Sequence, residues 1–482
     1  MRPLLSILDD ELAGRIIDEA MSLLATTGVR IDDSEAFARL TQAGLPGDRE
    51  TDRITFPHSA LEGAVAAAPQ AVSLFDRNGD HRVELAGDAV HFVPGSSALR
   101  ILDHRTGAVR AANTSDLVEF VKVADGLRHV AYMSTAFVAG DVPQEIADAW
   151  RLYVVLAHSA QPVVTGAFSA GGFAPMVRIM ELLRGGRREL AERPLAVFTC
   201  CPNTPLHWGR DSIHNLIDCA DARVPVEVVP VVQLGLNAPV TTVGALVMHT
   251  AEVLSGIAIT QTINPGSPVL FGGAPASFHM QYTTSPMSAV EAMKISCAYA
   301  QIAKRLSLPS QAFMGLSDAK ANDAQAGAET GTGAMLAGLA GVNSVAGLGM
   351  LDYVNCFSLE KLVLDAEIAG QVQHFVRPTT IAGDLPMNDI IDELLTEQHL
   401  LTAPHTLERW QSELYLPGPM YDRMNWDQWR EGGEKQLRER ALDQVEGLLR
   451  SYDAAPLCDE IHREVRDELS SICAARISLP DF

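Results

Sequence analysis

From about residue 89 onward, short apolar runs alternate with helical patterns, and this alternation constrains the fold more than any other feature of the sequence. The apolar runs are rich in Val, Ile and Phe and lie at 89–95, 130–138, 162–169, 195–203, 226–235, 268–275, 309–318 and 343–350. The helical patterns lie at 114–127, 144–160, 174–186, 209–222, 242–263, 288–306, 326–341 and 358–375. Strands that alternate with helices pair in parallel, because each helix provides a crossover. Eight such units over roughly 280 residues predict a (β/α)8 TIM barrel.

A doubly wound open sheet is the alternative α/β fold for such a pattern. No GxGxxG motif lies on an early strand–helix turn, and the glycines of "GTGAMLAG" (331–338) lie inside a helical pattern. We therefore predict an α/β fold with a TIM barrel at 86–380 as the catalytic domain. Helical patterns before and after it predict a helical N-terminal extension at 1–85 and a helical C-terminal extension at 381–482.

The aromatic-rich stretch 410–429 lies within the C-terminal extension. It is either a lid or interface, or a segment that packs the tail against the barrel, and the sequence leaves both interpretations open.

The charge balance bounds the possible partners. The formal net charge of −23 argues against a nucleic-acid-binding protein, which would need a basic patch. It is typical of a soluble cytoplasmic enzyme, or of one with a cationic ligand or a basic partner. The 7 cysteines include no CxxC pair, which indicates reduced thiols.

Two further features concern targeting. The N-terminus becomes acidic at once, so we expect no secretory signal. The longest apolar stretch, 243–263, is interrupted by His249 and Glu252, which favours a core helix over a membrane span. We expect a cytoplasmic protein with no membrane partner, and a homo-oligomer.

The segment "SDAKANDAQAGAET" (317–330) is strongly polar although a buried strand and a buried helix are predicted on either side of it. In a TIM barrel, loops that follow strands line the mouth at the carboxyl ends. Carboxylates at that position would attract a cation. Aromatic residues follow the sixth and eighth strands, and aromatic faces beside diffuse negative charge are what a quaternary ammonium group requires. These aromatic residues could instead pack against one another.

Other chemistries fit the sequence less well. Cys200, Cys201, His207 and His214 could supply metal ligands, but their spacing matches no zinc motif, so we predict no metal site. A Schiff base on Lys320 would suit a lyase, although a lysine between two aspartates favours an ion pair. No GxSxG motif occurs.

Four stretches together resemble the trimethylamine methyltransferase (MttB) superfamily. They are "SDAKANDAQAGAET", "NAPVTT" (237–242), "GSPVLFGG" (266–273) and "SLEKLVLDAEIAG" (358–370). The resemblance implies a TIM barrel that moves a methyl group from a methylated amine to the cobalamin, as cob(I)alamin, of a separate corrinoid protein. It also implies that the corrinoid protein docks over the barrel mouth. Trimethylamine-specific members carry pyrrolysine, whereas this chain contains only standard residues, so the resemblance implies a glycine betaine methyltransferase-like member.

On this basis the sequence predicts a quaternary-amine methyltransferase with no permanently bound cofactor. The predicted catalytic residues are Glu329, Asp323 and Lys320. The predicted substrate-binding residues are Phe278, Tyr282 and Tyr353 as an aromatic cage, with His279, Gln281, Asn237 and Gln325 as partners of a betaine carboxylate. Two alternatives stay open, namely a methyltransferase with tetrahydrofolate or another acceptor, and a non-catalytic betaine-binding barrel.

Overall fold

The computed structural model describes residues 2–95, 97–169, 171–453, 457–473 and 479–481. Its helices are α1 (Asp10–Thr26), α2 (Ser34–Gln42), α3 (His58–Ala67), α4 (Thr114–Asp125), α5 (Ala147–His158), α6 (Phe173–Arg184), α7 (Arg187–Glu192), α8 (Arg210–Ala222), α9 (Thr242–Ile263), α10 (Val290–Arg305), α11 (Ala324–Ala340), α12 (Leu359–Phe375), α13 (Asn388–Glu397), α14 (Pro404–Glu413), α15 (Trp426–Glu431), α16 (Leu437–Ser451) and α17 (Asp459–Ile472). A short 3-10 helix lies at Gln144–Ile146.

The strands are mostly short. They are β1 (Val29–Ile31), β2 (Gly47–Asp48), β3 (Arg53–Ile54), β4 (Val72–Phe75), β5 (His81–Leu85), β6 (His91–Pro94), β7 (Arg100–Leu102), β8 (Val109–Ala111), β9 (Met133–Ser134), β10 (Val163–Thr165), β11 (Ala196–Cys200), β12 (His207–Trp208), β13 (Val226–Val228), β14 (Gln233–Leu234), β15 (Val269–Phe271), β16 (Ala276–Ser277), β17 (Gln311–Phe313), β18 (Ser344–Leu348), β19 (Met350–Leu351) and β20 (Cys356–Phe357).

Two parallel sheets form the centre of the fold. One has the order β15-β13-β11-β10-β9 and the other has the order β17-β18-β6, and all neighbouring strands within them run parallel. A single parallel bridge, Phe271 to Ser310, joins the end of β15 to the residue before β17. At the opposite edges of the two sheets, the Ala131 N–H donates to the Phe92 carbonyl at 2.9 Å. This bond connects β6 to the residues just before β9. The chain therefore has a mixed α/β fold with parallel sheets, and the closed eight-stranded barrel remains a prediction.

Strands of both sheets share one small apolar core. Its members are Val93, Val164, Val197, Leu270 and Ala346 from the sheets, Tyr132 from just before β9, and Val72, Leu74, Val83 and Leu85 from the antiparallel hairpin β4–β5. The Phe75 N–H donates to the carbonyl of Pro194, just before β11, and the Arg77 N–H donates to that of Ala160, before β10. The hairpin thus covers the amino ends of the strands and leaves the carboxyl ends for loops.

The N-terminal region is not purely helical, and this corrects the predicted helical extension. Helices α1, α2 and α3 lie in this region, but β1 to β5 lie there as well. Strand β1 pairs in parallel with β12 and antiparallel with β3. Strands of two to five residues contain too few alternations for the sequence pattern to reveal them.

Helix α9 is long and apolar enough to cross a membrane by length and composition, and 72% of its most apolar window is buried within the fold. It packs against α1, α3 and α8. Its polar residues His249 and Glu252 are fully buried, which is typical of a core helix.

The C-terminal region contains helices α13 to α17 and packs on the α/β part. Helix α16 contacts α12 and α4, and α17 contacts α5 and α6. Within the stretch 410–429, the Tyr415 hydroxyl donates to the Glu367 carboxylate of α12 at 2.5 Å. The Trp426 and Trp429 rings lie 5.1 Å apart, with the Trp426 side chain exposed. Part of this stretch therefore packs the tail, while the Trp426 side chain faces solvent.

Candidate functional site

Glu329 is the central acceptor of the acidic segment 317–330, which follows β17 and leads into α11. Its Oε2 atom accepts a hydrogen bond from the Ser317 hydroxyl at 2.6 Å and from the Asp318 N–H at 2.8 Å. Its Oε1 atom accepts from the side-chain amide of Gln325 at 2.9 Å. Glu329 therefore binds the start of its own segment and fixes the path of the chain at the carboxyl end of β17.

Asp318 connects this segment to the chain that follows the sixth apolar run. Its carboxylate accepts from the Ser288 N–H at 2.7 Å and from the Met287 N–H at 3.2 Å. Burial raises the pKa of Asp318 to about 6, even though these N–H donors favour the charged form. The charges at 317–330 are thus part of an ordered network, which explains why a polar segment lies between buried elements.

Lys320 forms a cation–π contact with Tyr353. Its Nζ atom lies 3.7 Å from the centroid of the Tyr353 ring and 3.5 Å from the Asp352 carboxylate. Burial opposes the charged form, but the contacts with Tyr353 and Asp352 raise the pKa of Lys320 above its ordinary value. Lys320 is therefore a charged partner in the structure, and the face of Tyr353 already holds a cation.

Asp323 caps helix α11. Its side chain accepts hydrogen bonds from the Gln325 N–H at 2.9 Å and from the Ala326 N–H at 3.2 Å. Asp323 and Gln325 are both exposed. The local role of Asp323 is thus to satisfy the first N–H groups of the helix, as N-cap residues do.

The predicted aromatic residues after the sixth run lie on a loop between β16 and α10. The rings of His279 and Tyr282 stack on each other with centroids 4.9 Å apart. Tyr282 is 67% exposed, Gln281 is exposed, and Phe278 is half-buried. For His279 and Tyr282, the structure shows loop aromatics packing against one another.

Asn237 stabilises the turn that follows β14. Its Oδ1 atom accepts from the Gln233 N–H at 2.7 Å, and its Nδ2 group donates to the Val231 carbonyl at 3.1 Å. The Ser285 hydroxyl donates to the Gln233 side chain at 3.0 Å, so this turn is joined to the loop that carries His279 and Tyr282.

The structure therefore arranges the ten predicted residues in three connected groups. Glu329, Gln325, Asp323 and Lys320 lie within the acidic segment, and Tyr353 contacts it through Lys320. The loop with Phe278, His279, Gln281 and Tyr282 reaches this segment through the backbone of residues 287 and 288, which Asp318 binds. Asn237 lies at the far side of that loop.

Sequence reasoning missed Glu227, a carboxyl group buried on β13. Its Oε1 atom accepts from the Thr199 hydroxyl at 2.6 Å, and its Oε2 atom has no hydrogen-bond partner within the part of the chain that the structure describes. Burial raises the pKa of Glu227 to about 7. Thr199 also lines a cavity of about 290 Å³ at the carboxyl ends of β10 and β11. The signal was a single charge among the valines of "VEVVPVV" (226–232).

A buried ion pair behind the acidic segment was also missed. The Lys361 ammonium lies 2.5 Å from the Asp365 carboxylate and donates to the Thr330 hydroxyl at 2.6 Å. The same carboxylate accepts from the Gly349 N–H at 2.8 Å. Burial lowers the pKa of Lys361 and raises that of Asp365. The pair holds α11, α12 and the turn after β18 together, one residue from Glu329.

The histidines that were considered as metal ligands have other partners. His207 lies 2.6 Å from the Asp32 carboxylate, and His214 lies 3.1 Å from that of Asp33. Over the described ranges, no group of three or more His, Cys, Asp and Glu side chains is placed to hold a metal ion.

Comparison with known proteins decides the family. The family model for trimethylamine methyltransferase (MTTB) matches residues 1–471. The chain belongs to the trimethylamine methyltransferase family. It is therefore a methyltransferase, as the sequence predicted.

Two curated relatives of this trimethylamine methyltransferase family member extend over nearly its whole length. It is 26% identical over 458 residues to the trimethylamine methyltransferase MttB of Desulfitobacterium hafniense (strain DSM 10664 / DCB-2), covering 95% of this chain and 92% of that relative. It is 29% identical over 468 residues to the glycine betaine methyltransferase of Desulfitobacterium hafniense (strain Y51), covering 96% of both chains.

A solved structure supports the fold of this family member. The crystal structure of the Methanosarcina barkeri monomethylamine methyltransferase (MtmB) aligns with a TM-score of 0.53 and 11% sequence identity, covering 96% of this chain and 88% of that one. At this identity the similarity concerns the α/β fold alone.

Proposed function

We propose that this methyltransferase moves a methyl group from a quaternary amine, glycine betaine or a close analogue, to the cob(I)alamin of a partner corrinoid protein. The observation that carries the proposal is the similarity to a glycine betaine methyltransferase over 96% of both chains, in a sequence made only of standard residues. Corrinoid dependence comes from the family resemblance.

The chemistry of the substrate supports a quaternary amine. Its C–N bond breaks with the electron pair remaining on nitrogen, so the ammonium leaves as a neutral amine while Co(I) supplies the pair for the new bond to the methyl carbon. A tertiary amine would first need a positive charge on nitrogen. This chain must therefore orient one methyl group and exclude water, and it needs no covalent activator.

The electrostatics of the acidic segment are compatible with such a substrate. The substrate cation loses its charge in the transition state, so a site that bound the charge too strongly would slow the reaction. Aromatic faces with hydrogen-bonded carboxylates nearby avoid that problem. Tyr353 supplies such a face, and Glu329 supplies a carboxylate whose oxygens are already satisfied by Ser317, Asp318 and Gln325.

We infer that the trimethylammonium group binds on the Tyr353 ring in place of the Lys320 ammonium. Lys320 can then move toward Asp352, which is already 3.5 Å away, or into solvent, since its side chain is more than half exposed. Glu329 and Asp323 would provide negative charge around this position. The substrate roles of Phe278, His279, Gln281, Tyr282, Gln325 and Asn237 are part of this proposal.

We also infer that the eight parallel strands close into a (β/α)8 barrel. The parallel bridge from Phe271 to Ser310, the bond from Ala131 to Phe92, and the apolar core shared by both sheets support closure. In this arrangement the acidic segment and the loop 276–286 lie at the same end, after the strands. A cytoplasmic location is consistent with seven free thiols.

The rival functions differ in products. The protein, reduced cobalamin and glycine betaine are incubated without oxygen, and the absorbance change from Co(I) to methylated cobalamin is followed together with formation of the demethylated amine. Both signals are expected with glycine betaine and neither with trimethylamine. Demethylation that needs tetrahydrofolate instead would favour the other acceptor. Binding in a thermal-shift assay without product under any acceptor would favour a non-catalytic barrel.

A further inference from the structure

The hairpin that carries Tyr353 has a costly backbone conformation at its tip. Strands β19 and β20 pair antiparallel, and the tip residues Asp352, Tyr353 and Val354 have φ angles of 50°, 56° and 63°. No other run of consecutive non-glycine residues with positive φ occurs in the ranges that the structure describes. The left-handed conformation is unfavourable for a tyrosine or a valine, so contacts around the hairpin must hold the tip in place.

The base of this hairpin is anchored to helix α12 through Gly349. The Gly349 N–H donates to the Asp365 carboxylate at 2.8 Å, and the Ser358 N–H donates to the Gly349 carbonyl at 2.9 Å. Gly349 has a φ of 84°, and a Cβ atom there would lie 2.5 Å from the Phe357 ring. The absence of a side chain at this position therefore lets the hairpin pass close to α12.

The partner of Asp365 reaches helix α11. The Lys361 ammonium lies 2.5 Å from the Asp365 carboxylate and donates at 2.6 Å to the hydroxyl of Thr330, which follows Glu329 directly in α11. Burial lowers the pKa of Lys361, and the negative charges of Asp365 and Glu329 oppose that shift, so Glu329 lies within electrostatic reach of the ammonium. One ion pair therefore joins the hairpin of Tyr353 to the helix of Glu329.

Stability alone does not account for this ion pair. Both side chains are completely buried, and the Asp365 Oδ1 atom has no hydrogen-bond partner within the described part of the chain. Taking two charges out of water costs free energy that their attraction repays only when the remaining hydrogen bonds are also made. Apolar side chains of similar volume often stabilise a fold equally well or better. The pair is better explained by the arrangement that it fixes.

The hairpin and α11 are also connected on the substrate side, through a group that the proposed substrate displaces. The Lys320 ammonium contacts the Tyr353 ring and donates to the Asp318 carbonyl, and the Asp318 N–H donates to the Glu329 carboxylate. In the proposed function, the trimethylammonium group takes the place of Lys320 on the ring. The buried ion pair continues to join the two elements after that exchange.

We propose that Lys361 and Asp365 are positioning residues for methyl transfer. Their ion pair fixes the Tyr353 ring face and the Glu329 carboxylate relative to each other, so that both act on the same substrate cation and keep one methyl group in line for transfer. Neither Lys361 nor Asp365 touches the substrate, because both side chains are completely buried. The proposal rests on the proposed function for the position of the substrate.

Variants that cut the connection without leaving an unpaired buried charge test the inference. Lys361→Met with Asp365→Val removes both charges together, which a fold tolerates far better than the loss of one. This double variant also removes the acceptor of the Gly349 N–H, so a milder variant accompanies it. Thr330→Val keeps the ion pair and the shape of the side chain, and it cuts only the hydrogen bond to α11.

Amide hydrogen exchange measures the connection without any substrate. In the double variant, exchange should become about tenfold faster or more in peptides covering 324–330 and 349–357, because both elements open locally once they are no longer joined. Thr330→Val should give faster exchange at 324–330. The matched control, Arg188→Met with Glu192→Gln, neutralises an exposed ion pair of the same i,i+4 spacing on α7 and should exchange as the wild type does.

Methyl transfer then separates positioning from support of the fold. In variants that are folded at the assay temperature, kcat should fall by about tenfold or more while the Kd of glycine betaine changes by less than about threefold, because misplaced groups mainly slow the reacting step. A wild-type kcat in the folded variants overturns the proposal, and so does wild-type exchange in both regions. A wild type that transfers no methyl group contradicts the proposed function, and faster exchange in the variants distinguishes that failure from a failure of the ion pair to join the two elements.

Discussion

The ammonium of Lys320 lies 3.7 Å from the centroid of the Tyr353 ring, so the side chain that the sequence assigns to a cation cage already binds a cation of the protein itself. The same Nζ atom donates to the Asp318 carbonyl at 2.7 Å. This contact shows that the ring face is accessible to a positive group between two loops. It also means that a substrate cation on this ring has to compete with Lys320.

Replacing Lys320 by Met should strengthen the binding of glycine betaine. The change removes the internal competitor and keeps an apolar side chain of similar length. A cation–π contact is worth about 0.5–2 kcal/mol, so we expect affinity to rise by about 2- to 30-fold in isothermal titration calorimetry. Tyr353→Leu is the counterpart and should weaken binding. Weaker binding by Lys320→Met would show that the lysine holds the substrate instead.

Two substitutions at Glu329 separate its charge from its hydrogen bonds. Glu329→Gln keeps a side-chain oxygen that accepts from Ser317 and Asp318, and the exposed Gln325 can reorient to meet the new amide group. The free energy of unfolding of this variant should therefore stay within about 1 kcal/mol of that of the wild type. Its kcat/KM for methyl transfer should fall by about tenfold or more, because the negative charge near the substrate cation is lost. Glu329→Ala should also lose about 1–3 kcal/mol of stability in urea unfolding. Wild-type turnover by Glu329→Gln would show that the negative charge of Glu329 does not contribute to methyl transfer.

Asp323 should contribute less negative charge at the substrate position than Glu329 does, and its main role should be as the N-cap of α11. Asn is an equally good N-cap, so Asp323→Asn should keep the stability of α11, whereas Asp323→Ala should cost about 1 kcal/mol. Because Asp323 is exposed, solvent screens its charge, and kcat/KM of Asp323→Asn should stay within about threefold of wild type. Measuring kcat/KM of both Asp323 variants beside Glu329→Gln checks this. A loss of kcat/KM in Asp323→Asn as large as that in Glu329→Gln would show that the charge of Asp323 matters as much as that of Glu329.

Glu227 should make stability depend on pH. Burial raises its folded-state pKa from 4.5 to about 7, so the folded protein binds more protons than the unfolded chain within that interval. Its contribution to the free energy of unfolding therefore falls as pH rises from about 4.5 to 7. Glu227→Gln removes this dependence. The free energy of unfolding of the variant minus that of the wild type should therefore increase by about 3 kcal/mol between pH 4.5 and pH 8. Urea unfolding at several pH values measures it, and parallel pH profiles would contradict the assignment.

The sequence predicted the parallel strands well because each apolar run needs burial on both faces. Every one of the eight runs contains a strand of the parallel sheets. The position of the acidic segment could also be predicted, since it follows directly from a strand and precedes a helix. The hairpin β4–β5 could not, because its role in covering the amino ends depends on contacts with Pro194 and Ala160 that are remote in sequence.

The partners of the charged side chains were the least predictable part of the site. Glu329 and Asp318 bind backbone N–H groups, and such bonds leave no mark in composition or spacing. The Lys361–Asp365 pair has the spacing of an ordinary surface ion pair on a helix, and only the packing of α12 shows that it is buried. The stack of His279 on Tyr282 was one of two open interpretations, and its exposure depends on the loop path.

The most direct test of methyl transfer uses glycine betaine labelled with ¹³C in its methyl groups. The protein is incubated with the labelled substrate and cob(I)alamin without oxygen, and nuclear magnetic resonance follows the label. We predict equal amounts of labelled methyl on cobalt and of dimethylglycine, with both dependent on the protein. Dimethylglycine without methylated cobalt, or no demethylation at all, would contradict the account.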